Sequence, residues 1–127
     1  MKKVLVVDDD QALRKLYQVQ LQTSGFEVVT AEDGDECLKK AESDHPDLIL
    51  LDIMMPKRDG MAALKSLKDD PKFSKIPVVM LTNFGQEDLI KNALSMGAVD
   101  YLLKYKVTPA EMAEKVSLIL NPANVRL

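Results

Sequence analysis

The amino-acid sequence predicts an α/β fold in which a parallel sheet carries helices on both of its faces. Short apolar runs alternate with amphipathic stretches five times along the 127 residues. The apolar runs are bounded by polar or turn residues, which is typical of strands buried inside a parallel sheet. Strands that alternate with helices through short loops indicate right-handed crossovers, and therefore strands that all run in one direction.

The clearest predicted strand is the Asp47–Leu51 run, in which the apolar residues Leu48 to Leu51 lead directly into Asp52. Four consecutive apolar residues bounded by turn signals suit a strand that is buried on both faces. Pro56 and the pair Asp59-Gly60 shape the turn behind it. Ligands of open α/β sheets bind at the carboxyl ends of the strands. Asp52 is therefore the first candidate functional residue.

Similar signals predict the other elements along the chain. The remaining strands are predicted at Val4 to Val7, Phe26 to Ala31, Pro77 to Leu81 and Val99 to Leu103. Helices are predicted between Asp10 and Gly25, from the pair Asp33-Gly34 onward, from Gly60 to about Lys68, from Gln86 to Met96, and after the capping box Thr108 to Glu111. Apolar residues at helical spacing support these helices, including Leu13, Leu16, Tyr17 and Leu21 in the first and Ile90, Ala93 and Leu94 in the fourth.

Five strand–helix units of this length predict a flavodoxin-like (βα)5 doubly wound parallel sheet with the strand order 2-1-3-4-5. We expect a single domain over residues 1–121, followed by a C-terminal tail at residues 122–127.

The composition narrows the class of protein. Apolar residues make up 46% of the chain and charged residues 29%, which is ordinary for a soluble globular domain. The net charge of -3, without a dense Lys/Arg run, argues against direct binding of nucleic acid. Cys37 is the single cysteine, which excludes an internal disulfide and a cysteine-rich metal site. The apolar run near the N-terminus is too short for a signal peptide or a membrane span, so we expect a cytoplasmic protein.

Polar side chains stand where four of the five predicted strands end. They are Asp8 and Asp9, Asp52, Thr82, and Lys104. The carboxyl ends of parallel strands share one edge of the sheet, and strands one, three, four and five are neighbours in the predicted order. The sequence therefore predicts that three carboxylates, a hydroxyl and an ammonium group converge.

This group of side chains suits phosphoryl transfer. Clustered carboxylates need a cation nearby, and Mg²⁺ prefers oxygen ligands while it shares a phosphate with the protein. Thr82 and Lys104 could bind phosphoryl oxygens by hydrogen bond and by charge. A carboxylate can act as a nucleophile and form an aspartyl-phosphate. Asp52 lies between the acidic pair and the Thr/Lys pair, which makes it the best-placed acceptor.

Four segments that each close a strand make the chain resemble the receiver domain of the two-component response-regulator family. They read Val-Leu-Val-Val-Asp-Asp-Asp (4–10), Leu-Leu-Asp-Ile-Met-Met-Pro with Asp-Gly (50–60), Val-Val-Met-Leu-Thr (78–82) and Gly-Ala-Val-Asp-Tyr-Leu-Leu-Lys (97–104). The resemblance extends over residues 2–120. It implies that Asp52 accepts phosphate from a phosphohistidine on a sensor kinase or a histidine phosphotransfer protein.

The resemblance also implies roles for the neighbouring residues. Asp9, Asp52 and the backbone carbonyl of Met54 would bind Mg²⁺ directly, and Asp8 would act through water. Thr82 and Lys104 would bind the phosphoryl group. Tyr101 matches the aromatic switch position, where the ring and Thr82 shift together, although a plain half-buried strand aromatic is an equal alternative. The fourth helix, fifth strand and fifth helix would form the output surface for a downstream protein.

Two positions depart from the family pattern. Tyr105 follows Lys104, where the family usually has a proline in a cis peptide. Because a cis bond before another residue costs roughly 2.5–4 kcal/mol, we expect either a trans peptide with a rearranged loop or a strained cis peptide. Asn83 is bulkier than the small residue usual after Thr82, and it would slow access to the phosphate or add a hydrogen bond.

Met54 and Phe84 follow Asp52 and Thr82 by two residues each and are apolar. We expect them to flank the approach of the attacking water and to make self-dephosphorylation slow.

Three functions compete for this sequence. The first is a stand-alone phosphoacceptor switch, with autocatalytic phosphotransfer rather than conventional enzymatic turnover. The second is an unphosphorylated receiver-like interaction module, which is favoured if Tyr105 misplaces Lys104. The third is an enzyme of the same fold, which the residues disfavour: three acids after the first strand would repel the phosphate of a flavin, and Met54 stands where aspartate-nucleophile phosphatases have a second Asp.

Overall fold

Five strands and five helices alternate along the part of the chain that the structure describes, and the computed structural model describes residues 1–55, 57–83 and 85–122. The strands are β1 (Lys3–Val7), β2 (Glu27–Ala31), β3 (Leu48–Asp52), β4 (Val78–Thr82) and β5 (Asp100–Leu103). The helices are α1 (Gln11–Thr23), α2 (Gly34–Asp44), α3 (Gly60–Asp69), α4 (Glu87–Ser95) and α5 (Pro109–Leu120). Within the described residues, no helix is both long and apolar enough to cross a membrane.

All strand pairs are parallel, and the strand order is β2-β1-β3-β4-β5, which confirms the predicted fold and order. β3 is the central strand and every one of its residues is buried. β2 is an edge strand, and its residues are more exposed than those of β3. The strands that carry the candidate site residues, β1, β3, β4 and β5, are therefore neighbours in the sheet.

The two faces of the sheet are covered by different helices. Alternate residues of each strand point to opposite faces, so Leu5 and Val7 of β1 pack with α2, α3 and α4, whereas Val4 and Val6 pack with α1 and α5. Cys37 is fully buried in the first of these clusters and is therefore a core residue. Both apolar clusters together hold the strand ends in register.

Two apolar residues do not point inward as the helical spacing predicts. Leu16 of α1 is 49% exposed and Leu94 of α4 is 42% exposed. Each lies on the margin of its helix's apolar stripe, and only the centre of that stripe reaches the sheet. The prediction that these two side chains face the core is therefore wrong, and both leave apolar surface in solvent.

Helix caps fix how the chain leaves the strands. Asp10 is the N-cap of α1, and its side chain accepts a hydrogen bond from the Leu13 amide at 3.1 Å. The reciprocal capping box of Thr108 and Glu111 is present at the start of α5. These caps set the direction of the loops that follow β1 and β5.

The turn after β3 approaches its own strand so closely that only glycine fits at its end. The Gly60 amide donates to the Ile53 carbonyl at 2.8 Å. A Cβ added at Gly60 would lie 1.9 Å from the backbone oxygen of Asp52, far inside van der Waals contact. Gly60 is therefore held tightly against the end of β3.

Candidate functional site

Three polar side chains are buried at the carboxyl edge of the sheet, among the residues that the structure describes. Asp8 and Thr82 have no exposed surface and Asp52 is 3% exposed. Asp9 is exposed and lies beside them. Carboxylate oxygens of Asp8, Asp9 and Asp52 all lie within 4.8 Å of one another. The structure thus brings together the three acids that the sequence predicts to converge.

Lys104 reaches into this acidic cluster. Its Nζ lies 2.9 Å from Oδ2 of Asp8 and 2.9 Å from Oδ1 of Asp52, and its side chain is only 6% exposed. Its backbone amide donates to the Thr82 carbonyl at 2.8 Å, which extends the β4–β5 pairing up to the site. Burial lowers the pKa of Lys104, but its bonds to Asp8 and Asp52 outweigh this effect and the pKa is raised. Lys104 is therefore a charged group in the site.

Asp8 is held in place from three directions. Its Oδ1 accepts from the Asp10 amide at 2.9 Å, while Oδ2 faces Lys104. Its backbone carbonyl accepts from Nη1 of Arg14 at 2.7 Å. Arg14 is not among the residues predicted from the sequence, although an Arg in the first turn of the helix after an acidic strand end was an available signal. This contact ties α1 to the loop that carries the acids.

Burial sets the electrostatics of Asp52. The pKa of the Asp52 carboxyl is raised from the ordinary 3.8 to about 7, chiefly because the group is buried. The bond to Lys104 lowers this pKa, whereas the nearby charges of Asp8 and Asp9 raise it further. When all three carboxylates are ionised, one ammonium group leaves two negative charges unbalanced. A close set of oxygen donors with excess negative charge is what a small divalent cation such as Mg²⁺ binds. The residues present therefore fit a Mg²⁺ site.

The peptide between Lys104 and Tyr105 is trans, and Tyr105 has a φ of 64°. Of the two alternatives that the sequence leaves open, the structure therefore shows the trans peptide with a rearranged loop. The ring is 75% exposed, and its hydroxyl donates to Oδ2 of Asp10 at 2.9 Å. This bond ties the loop after β5 to the N-cap residue of α1.

The pKa of the Tyr105 phenol is raised above that of free tyrosine. Ionisation would remove the proton that the phenol donates to Asp10, and it would place the phenolate beside the negative charge of the Asp10 carboxylate. We therefore expect Tyr105 to ionise at higher pH than free tyrosine. The Asp10→Asn variant keeps a capping side chain but loses the charge, so the pKa of Tyr105 should fall toward its ordinary value. Absorbance titration in a background that carries both Tyr17→Phe and Tyr101→Phe, which leaves Tyr105 as the only tyrosine, measures this. Asp88→Asn, an exposed substitution on α4, is the control, and an unchanged midpoint in Asp10→Asn would contradict the expectation.

The Thr82 hydroxyl is bonded to Gln86, a residue that the sequence predicts only as the start of a helix. Oγ1 of Thr82 donates to Oε1 of Gln86 at 2.6 Å, and Oγ1 also lies 3.1 Å from the Asn83 carbonyl oxygen. The backbone amide of Asn83 donates to the same Gln86 oxygen at 2.8 Å. Asn83 is exposed beside the site, as its position predicts. The available signal for Gln86 was a long polar side chain one turn after a strand-end threonine.

The remaining predicted residues lie around this centre. Tyr101 on β5 is 39% exposed and lines a groove of about 560 Å³ between β5 and α5, with Leu103, Val107 and Leu118 also in its wall. Met54 is 57% exposed after Asp52. Its carbonyl as a metal ligand, its effect on dephosphorylation and the switch role of Tyr101 stay predictions. Phe84 and residues 123–127 of the predicted tail lie outside the described residues.

Comparison with known proteins connects this site to a family. The family model "Response regulator receiver domain" matches residues 4–117. The chain is 42% identical over 124 residues to the alkaline phosphatase synthesis transcriptional regulatory protein PhoP of Bacillus subtilis strain 168, covering 98% of this chain and 50% of that protein. The chain thus spans about half the length of this curated relative.

Solved structures agree with the sequence matches. The chemotaxis response regulator CheY4 of Vibrio cholerae superposes with a TM-score of 0.87 at 32% identity, covering 94% of this chain and 99% of that one. The response regulator Rcp1, solved in a Mn²⁺-bound form, superposes with a TM-score of 0.83 at 29% identity, covering 100% of this chain and 99% of that one. Both neighbours are response regulators, so the structural comparison and the sequence comparison indicate the same family.

Proposed function

Because the chain belongs to the response regulator receiver domain family, we propose that residues 1–121 form a phosphorylation-dependent switch whose phosphoacceptor is Asp52. The observation that carries this assignment is the position of Lys104, whose Nζ lies 2.9 Å from Oδ1 of Asp52 in the middle of the acidic cluster. The competing reading, an unphosphorylated interaction module, needs Lys104 to be displaced by Tyr105. Lys104 is inside the site, which favours the switch.

The donor in this proposal is a phosphohistidine on a sensor kinase or a histidine phosphotransfer protein. A carboxylate oxygen of Asp52 attacks phosphorus, the P–N bond breaks, and its electron pair stays on the imidazole nitrogen, which then takes a proton from solvent. The product is an acyl phosphate on Asp52. Lys104 neutralises charge on the phosphoryl oxygens and keeps its partner Asp8, while Thr82 offers them a hydroxyl proton.

The proposed metal ligands are Asp9, Asp52 and the carbonyl of Met54, with Asp8 acting through water. Mg²⁺ bound there supplies charge neutralisation and fixes the orientation of the transferring group. Support comes from the three clustered carboxylates and from the Mn²⁺-bound form of the similar regulator Rcp1. The burial of Asp8 and Asp52 adds to this support, because buried carboxylates bind a small cation more strongly than solvated ones.

The proposed output is a changed protein-binding surface on α4, β5 and α5. Tyr101 lies on this surface with a half-exposed ring next to the β5–α5 groove. A downstream protein target would bind there in a phosphorylation-dependent way. We place this exchange in the cytoplasm, with no direct contact to nucleic acid.

Labelling with a small-molecule phosphodonor tests the proposal. Incubation with acetyl phosphate and Mg²⁺ should add one phosphoryl group by intact mass, and hydroxylamine should remove it because acyl phosphates react with this nucleophile. Asp52→Asn should abolish the labelling, whereas the exposed control Asp88→Asn on α4 should keep it. Labelling that survives in Asp52→Asn, or labelling that ignores chelation of Mg²⁺, would overturn the assignment.

A further inference from the structure

The side chain of Gln86 joins the candidate site to the start of α4. Gln86 occupies the N-cap position of α4, but its side chain makes no capping bond to that helix. It reaches back instead, and its Oε1 accepts from both the Thr82 hydroxyl at 2.6 Å and the Asn83 amide at 2.8 Å. Gln86 thus occupies a helix-capping position, but its side chain binds the residues at the end of β4.

The two donors fix the orientation of the Gln86 amide. A backbone N–H can only donate, so the Gln86 atom that faces the Asn83 amide must be the oxygen. The Thr82 hydroxyl faces the same oxygen at 2.6 Å and must therefore supply the proton of that bond. A threonine hydroxyl has one proton. While this bond exists, the proton is directed to Gln86.

We propose that Gln86 is a positioning residue that holds the Thr82 hydroxyl away from the phosphoryl group. It thereby favours the unphosphorylated conformation of the domain over the phosphorylated one. The inference rests on the proposed function, in which Thr82 donates its proton to a phosphoryl oxygen. The Gln86 oxygen and the phosphoryl oxygen compete for that proton. The equilibrium between the unphosphorylated and the phosphorylated conformation therefore depends on how strongly the Gln86 oxygen accepts the Thr82 proton.

The same contact gives the site a route to α4. When Thr82 turns to the phosphoryl group, Gln86 loses one of its two donors and its side chain is free to take another position. The first-turn amides of α4 lack a side-chain cap from Gln86, so they are available partners for it. The release of Thr82 thus alters the start of α4, a helix of the proposed output surface.

Affinity for beryllofluoride, a phosphoryl mimic that binds without covalent transfer, tests the competition. With Mg²⁺ present, Gln86→Leu should bind beryllofluoride about two- to tenfold more tightly than the wild type, which is the range of one hydrogen bond. Gln86→Ala should do the same. Gln86→Glu retains an acceptor oxygen at the same reach and should not tighten binding. Gln22→Leu, an exposed substitution in the last turn of α1, is the matched control.

A double-variant comparison separates this role from a general effect on the loop. In a Thr82→Ala background no proton is contested, so adding Gln86→Leu should leave beryllofluoride affinity unchanged. A gain of the same size in that background would overturn the inference, as would wild-type affinity in both Gln86→Leu and Gln86→Ala. If the wild type itself does not bind beryllofluoride in the presence of Mg²⁺, the proposed function fails. Binding by the wild type with no effect at Gln86 leaves the function standing and removes only this inference.

Discussion

Replacing Lys104 with methionine is expected to lower the free energy of unfolding of the metal-free protein by about 3–5 kcal/mol at pH 8, the usual effect of removing one partner from a buried ion pair. Methionine keeps much of the side-chain volume. The variant leaves Asp8 and Asp52 without the ammonium group that lies 2.9 Å from each. Urea unfolding in the presence of a chelator measures the loss. Lys91→Met, an exposed substitution on α4, is the control and should change little.

The loss in Lys104→Met should depend on pH in a definite direction. Lys104 itself stays charged between pH 5 and 8, since its pKa is raised. Asp52, with a pKa of about 7, takes up a proton as the pH falls through that value, and a neutral Asp52 no longer needs a counter-charge. The destabilisation should therefore be smaller at pH 5 than at pH 8, and Mg²⁺ should restore part of it at pH 8. A loss that is equal at both values would contradict this account.

Replacing Asp52 with asparagine is expected to stabilise the metal-free protein at pH 8 by on the order of 4 kcal/mol, because about three pKa units at roughly 1.4 kcal/mol each separate the folded from the unfolded carboxyl. Asparagine fills the same space without a charge. Lys104 keeps Asp8 as its ion-pair partner in this variant. The variant that lacks the proposed phosphoacceptor is thus expected to be more stable than the wild type when no metal is bound.

The sign of the pH dependence follows from linkage. The folded-state pKa of Asp52 is raised, from 3.8 to about 7, so its contribution to stability is full below the unfolded value and is lost as the pH rises through the folded value. Asp52→Asn should match the wild type near pH 4 and exceed it increasingly up to pH 8. Mg²⁺ should stabilise the wild type more than Asp52→Asn and narrow the difference. The control Asp88→Asn should show neither trend, and a constant difference across the pH range would refute the burial effect.

The fold was predictable because the signal for it is repeated along the chain. Each strand is a short apolar run, and each run ends at a polar residue that marks the same edge of the sheet. Parallel strands in the order 2-1-3-4-5 bring the residues at their carboxyl ends to one edge of the sheet. This alone explains why the candidate site residues converge, namely Asp8, Asp9, Asp52 and Lys104. Strand bounds differ by about one residue, since hydrogen bonding continues into the polar position, as in β3, which includes Asp52.

What the sequence did not predict depends on side-chain directions rather than on periodicity. Tyr105 could be recognised as unusual, but its choice of a trans peptide with a left-handed φ, and of Asp10 as a partner, depends on where two separate loops meet. The position of Gln86 indicated a helix start, but its side chain bonds back to Thr82 and makes no capping bond to α4. Helical spacing also made Leu16 appear inward, because spacing describes a stripe and not its width.

The close turn behind Asp52 bears on how quickly a ligand can bind. The Gly60 amide donates to the Ile53 carbonyl, and the Gly34 amide donates to the Arg58 carbonyl at 2.9 Å, so Ile53 and Gly60 are held together and Arg58 is held to the start of α2. A Cβ at Gly34 would lie 2.0 Å from that carbonyl oxygen, so these two segments approach closely. Asp52, which directly precedes Ile53, is thus positioned by backbone contacts of the folded chain. If a cation binds at the proposed site, we expect its association rate to depend on diffusion and on the loss of its bound water rather than on a rearrangement of the backbone.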